Sequence, residues 1–200
     1  MAGDAPGILT FTAPLVLSSS ATLRIAIDGT GIGGGAGTYS QIVVNGASLT
    51  VGGTLQPFFR GISGGNNNFT PTLGQQFLIA TATGGVTGQF AGLDLTGSGL
   101  PSSLRMDTLF GATSIDLITT PASYRLPIGG SYNANQQSVG AALDSLRPAA
   151  GTISSNSALQ NAFNALYLLP PSQIGSLLSG LSAQDEARGV GNALDTLETI

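Results

Sequence analysis

The stretch Gly37 to Phe59, GTYSQIVVNGASLTVGGTLQPFF, narrows the possible folds more than any other part of this chain, because no apolar alternation in it runs long before a turn cuts it. Asn45-Gly46 and Gly52-Gly53 supply the breaks. Between them Ile42 and Val44 fall on one face of an extended segment, and Gln41, Val43 and Asn45 on the other. Leu49, Val51 and Leu55 repeat the pattern after the Asn-Gly turn. Strands of about five residues are not stable alone, so each must lie against a further pass of the same chain. Burying one Leu, Ile or Phe contributes roughly 1.5 to 3 kcal/mol, while ordering each residue costs about 1 to 2 kcal/mol. A single pass therefore fails and only a stack holds.

Composition supports order. Gly occupies 30 of 200 positions, about twice the usual share of roughly 7%, and charged residues make up only 8%. Disorder goes with the opposite signs, low hydrophobicity and many charges, so a Gly-rich chain that is 42% apolar reads as turn-rich β structure. All basic residues are Arg and the net charge is -4, which leaves no basic stripe for phosphates and argues against nucleic acid as a partner. No apolar run approaches the roughly 18 residues of a membrane helix. The start, MAGDAPGILTF, has neither the basic nor the apolar part of a secretory signal, and the chain stops within the helical pattern DTLETI. Both ends read as cut from something longer.

In chain order, Ile8 to Leu17 and Ala21 to Ile27 read as strands, followed by a Gly-rich loop over Asp28 to Gly37. Beyond the central stretch, Arg60 to Thr72 lacks apolar period and reads as a projecting polar loop. Gln76 to Ala82, Val86 to Leu95, Leu104 to Phe110 and Ala112 to Thr119 complete the strands, without clean hairpin signals. Ile42, Val44, Leu49, Val51, Leu55, Phe77, Ile79, Phe90, Ile115 and Leu117 form the expected structural stack. The period then changes. Apolar residues recur at helical spacing from Asn133, in segments closed by Arg147-Pro148 and Pro170-Pro171, with a third from Ser172 and a fourth behind a Ser182/Asp185 capping box. The expected division is a parallel β-solenoid over 1–130 and a helical region over 131–200.

Chemistry is sparse. Gly29, Gly31 and Gly34 satisfy G-x-G-x-x-G, but GGAGTYSQIVV follows where a helix would have to hold a pyrophosphate, so no cofactor is expected. Gly61, Ser63 and Gly65 satisfy G-x-S-x-G, yet a chain without His or Lys has no ordinary base to activate that Ser. Without Cys or His, transition-metal sites are not expected. Asp94, Asp107 and Asp116 are the carboxylates of the later strands and could pair for glycoside hydrolysis, although solvated surface acids are the plainer reading. Asp116, between Ile115 and Leu117, is expected on the solvent face. Tyr39, Phe58, Phe59 and Phe69 could stack on sugars or simply pack. These residues make a carbohydrate-binding or carbohydrate-cleaving β-helix the alternative reading, with an adhesive surface domain for a host or matrix ligand as another.

Four pieces in order, GTYSQIVVNGASLTVGGTLQ, GQQFLIATATGGVTGQFAGLDL, LPSSLRMDTLFGATSIDLIT and NANQQSVGAALDSL, resemble the C-terminal passenger region of bacterial autotransporters, the type V secretion system. The resemblance covers roughly Gly37 to Leu146. It implies a right-handed parallel β-helix whose last coils act as an autochaperone, a helical linker, and an outer-membrane β-barrel translocator as partner, absent from this chain. It also implies a non-enzymatic role in secretion and display at the bacterial cell surface.

Overall fold

The computed structural model describes residues 5–59, 69–128 and 130–182. The chain is mainly β with a helical C-terminal part. Its first pass carries β1 (Ile8–Phe11), β2 (Leu15–Val16) and β3 (Thr22–Ala26). The Gly-rich loop holds a short parallel pair, β4 (Gly31–Ile32) and β5 (Thr38–Tyr39). The second pass repeats the first as β6 (Gln41–Val44), β7 (Leu49–Val51) and β8 (Thr54–Phe58), and the third as β9 (Gln76–Ala82), β10 (Val86–Gly88) and β11 (Gly92–Leu93). Each strand pairs in parallel with its counterpart one pass away, giving β1-β6-β9, β2-β7-β10 and β3-β8-β11.

The register puts like on like. Leu9 lies opposite Ile42 and Ile42 opposite Ala80; Leu15 opposite Leu49 and Leu49 opposite Val86; Leu23 opposite Leu55 and Leu55 opposite Leu93. These columns enclose one apolar core, in which the rings of Tyr39, Phe59 and Phe69 pack edge-on around Phe77. Polar side chains tie the passes from outside: Thr50 and Thr87 hydroxyls meet at 3.4 Å, and Gln56 donates to Asp94 at 2.9 Å. Gln41, expected outside, is buried because its amide donates to the Leu78 carbonyl at 2.9 Å.

The third pass is followed by an antiparallel hairpin, β12 (Leu104–Phe110) and β13 (Ser114–Pro121), with β13 antiparallel to β9. Both strands are expected from the sequence, close to these bounds, but their antiparallel pairing is not. The hairpin turn, Gly111-Ala112-Thr113, lacks Asn-Gly chemistry and is closed by the Gly111 amide on the Ser114 carbonyl at 2.9 Å. The apparent strand Ile8 to Leu17 is two strands, broken between Phe11 and Leu15 by a segment containing Pro14.

Three helices follow among the described residues: α1 (Ala134–Leu146), α2 (Ser157–Tyr167) and α3 (171–182). Asn133 caps α1 in a reciprocal box with Gln136, and Asn156 caps α2. None of the helices among the described residues is long and apolar enough to cross a membrane. Their core contains Phe163, Leu166, Tyr167, Ile174 and Leu178, and it begins inside β13, at Ile118. The fourth helical segment and most of the Arg60 to Thr72 loop lie outside the described residues.

The tight corners make a specific demand on glycine. Gly53 has φ +70, and a Cβ there would meet the Ala21 carbonyl oxygen at 2.1 Å. Gly53→Ala should therefore cost about 2 to 5 kcal/mol in a urea titration, combining left-handed strain with overpacking. Gly7→Ala, with nothing within 4 Å, should stay within about 0.5 kcal/mol.

Candidate functional site

The features that distinguish this molecule from a plain repeat are its two ends. At the C-terminal end each of the three sheets built by the passes finds a terminal partner. The hairpin closes the first sheet on β9. The hairpin turn closes the second, where the Val86 amide donates to the Ala112 carbonyl at 2.9 Å. The segment after α1 reaches the third, where the Leu93 amide donates to the Ala150 carbonyl at 3.0 Å. The hairpin has two apolar faces: Met106, Phe110, Ile115 and Leu117 meet the core of the stack, while Leu109 and Ile118 meet the helices.

A buried ionic cluster fastens the helices to the hairpin's outer face. Arg147, the residue that ends α1, has a side chain only 1% exposed. One guanidinium nitrogen donates to the Pro121 carbonyl at 2.7 Å, and another contacts both the Asp107 carboxylate and the Thr120 hydroxyl. Thr120 in turn donates to Asp107 at 2.6 Å, and Arg105 pairs with the other carboxylate oxygen at 2.8 Å. The guanidinium carbon of Arg147 lies 4.8 Å from the Tyr124 ring centroid and 5.2 Å from that of Tyr167. Burial works against the charge on Arg147, but the Asp107 carboxylate and the two tyrosines outweigh it and hold its pKa above the ordinary value. Burial also pushes the Tyr167 hydroxyl up to about 12, and raises Tyr124 as well. Nearby, Asp144 on α1 accepts from the Tyr124 amide at 2.9 Å.

Among the described residues, the opposite end is open. β1, β2 and β3 are the outer strands of their three sheets. Leu9 is 61% exposed, although its column is buried one pass further in, at Ile42. A cavity of about 270 Å³ opens there between β1 and β3, lined by Ile8, Leu9, Leu23, Ile25, Ile42 and Phe58 among others.

Ile42, Val44, Leu49, Val51, Leu55, Phe77, Ile79, Phe90, Ile115 and Leu117 are all buried in one cluster. The three acids do not form a pair: Asp107 is neutralised by two arginines, Asp94 accepts from Gln56 and the Thr96 amide, and Asp116 is half-buried instead of fully solvated. Of the four aromatics, Tyr39 and Phe59 are buried, Phe58 lies under the Arg24 guanidinium, and Phe69 packs edge-on to Phe77. Gly29, Gly31 and Gly34 lie in the loop that holds β4 and β5, with Gly29 tight against Gly37, and the G-x-S-x-G stretch lies outside the described residues. Sequence reasoning took Arg147 only as a helix stop and missed its pairing with Asp107. No family model matches the chain, and no curated protein matches it.

Removing Asp107 would leave the buried Arg147 guanidinium, and the partly buried one of Arg105, without their shared anion. Asp107→Ala should cost about 3 to 5 kcal/mol of unfolding free energy. Asp116 gives a pH prediction of the other sign. Burial raises its pKa, so between the ordinary carboxylate pKa and the raised value the folded chain holds more protons than the unfolded one. Stability contributed by the neutral acid is present below that window and is lost as pH rises through it. Asp116→Asn should flatten the fall, measured as melting temperature across the acid range.

Proposed function

We propose that this chain is a non-enzymatic folding module, the membrane-proximal end of an autotransporter passenger, built as a right-handed parallel β-helix with a helical linker. One observation carries the reading: among the described residues three passes repeat strand for strand in parallel sheets, closed at the C-terminal end by an antiparallel hairpin and ending at β1, β2 and β3 on the other side. The sequence resemblance over Gly37 to Leu146 points the same way. In this reading the closed end leaves the outer membrane first and folds, and its open edge then offers three unpaired strands to the coil that emerges next.

The driving force is physical. Outside the outer membrane there is no ATP, so the free energy of adding a coil must itself bias the chain outward. A coil in water buries too little to offset its ordering cost, whereas a coil laid on a finished edge gains pairing and burial together. Ile42, Val44, Leu49, Val51, Leu55, Phe77, Ile79 and Phe90 supply that burial, with Ile115 and Leu117 beneath them. The partner is the protein's own β-barrel, and the location is the extracellular side of the outer membrane. No cofactor and no metal enter the reading.

The test uses the full-length protein on cells. Val44, fully buried in the middle pass, cannot hold a charge without disrupting the columns on either side. Val44→Asp should abolish surface display measured by antibody labelling of intact cells, while a Thr50→Asp change on the exposed face of β7 should leave it near wild type. Normal display of the Val44 variant would refute the mechanism.

A further inference from the structure

We propose that residues 147–153 form a clasp, positioned by Arg147, that closes the third sheet and holds the helices on the hairpin, and that this clasp opens as a unit while the stack stays folded. The segment leaves α1 at Arg147 and runs from the outer face of the hairpin to the edge of β11, with a contact at nearly every step. Arg147 is fixed by Asp107, Thr120 and Pro121. The Pro148 carbonyl accepts from Arg105. The Ala150 carbonyl accepts from the Leu93 amide at 3.0 Å, and the Ile153 amide donates to the Gln89 side chain at 2.6 Å. Gly151 makes the approach possible: its φ is +82, and a Cβ there would lie 2.5 Å from a Leu93 methyl and 3.0 Å from the Gly92 carbonyl carbon.

Two features make the clasp separable. Among the described residues the helices contribute none to the core of the stack; their own cluster begins on the other face of the hairpin. Asp107 also keeps Arg105 as a partner at 2.8 Å, so losing Arg147 leaves no isolated buried carboxylate to bring down the hairpin. Arg147 acts here through position: a planar fork meets a carbonyl, a hydroxyl and a carboxylate at once and so fixes where the following residues run. The clasp bears on secretion through the proposed function, but its existence does not depend on that reading.

The experiment is residue-resolved hydrogen exchange on the purified 200-residue chain. In Arg147→Met, the amides of Leu93 and Ile153 should lose protection by roughly tenfold or more, whereas those of Leu49 and Thr54, bonded within the stack, keep theirs. Gly151→Val leaves the ionic cluster intact and should produce the same loss at Leu93 by displacing the segment. Unchanged exchange at Leu93 in either variant overturns the proposal. So does an equal loss at Leu49 and Thr54, which would make Arg147 a general stability element. If the exchange results are as expected but the Arg147 variant of the full-length protein is displayed normally, the clasp stands and its role in secretion falls.

Discussion

An unpaired strand edge is the constraint on which this structure turns. Each edge strand carries a row of amides and carbonyls aimed at a neighbour, and leaving them without partners beside an apolar core costs free energy and invites other chains. A closed barrel avoids the problem by having no edges. Three parallel sheets built from successive passes cannot, because every pass that satisfies the one before it presents three new edges. The stack must therefore stop, and how it stops determines most of what is individual about the molecule.

The stop is made by changing the rule of pairing. β13 turns antiparallel to β9, and β12 then folds back on β13, so the first sheet ends in a local hairpin. That solution creates a second face, and the outer side of the hairpin, with Leu109 and Ile118, needs its own cover. The helices provide it. Arg105, Asp107 and Thr120 lie on the same face, and from the end of α1 Arg147 reaches the Asp107 carboxylate and the Thr120 hydroxyl. A buried ion pair adds little net stability compared with apolar packing, but a docking position that left one partner buried and unpaired would cost several kcal/mol. The cluster lies where position matters, because the residues that follow it must meet β11.

The repeating part of this arrangement was legible in the sequence, because period-two alternation between glycine breaks is a local signal. Val44, Leu49 and Leu55 declare an inward face from their neighbours alone, and all three are buried. The closing part was not, because it depends on partners far apart in the chain. Asp107 reads as one more acid on a polar face until Arg147, 40 residues later, is brought against it. The hairpin escaped for a related reason: Phe110-Gly111-Ala112-Thr113-Ser114 contains no turn dipeptide of the strong kind, and its register is fixed by packing on β9. Gln41 shows the same limit on a single residue, since only the position of the Leu78 carbonyl makes its burial tolerable.

The two kinds of pairing also differ in how quickly they can form. A strand in one pass meets its counterpart only after a loop of more than 30 residues has closed; Gly7 and Ser40 are 33 apart, and Thr50 and Thr87 are 37 apart. The hairpin needs only a three-residue turn between Phe110 and Ser114. Loop-closure entropy must be met before a distant contact returns anything, so the hairpin is the cheapest β-structure in the chain to nucleate. β9 docking on β13 would then convert a marginal hairpin into a three-stranded platform with one apolar face against the core. From that point each earlier pass has a finished edge to fold on, and order spreads from the closed end towards the open one. A chain delivered C-terminal end first presents its segments in the sequence that this nucleation requires.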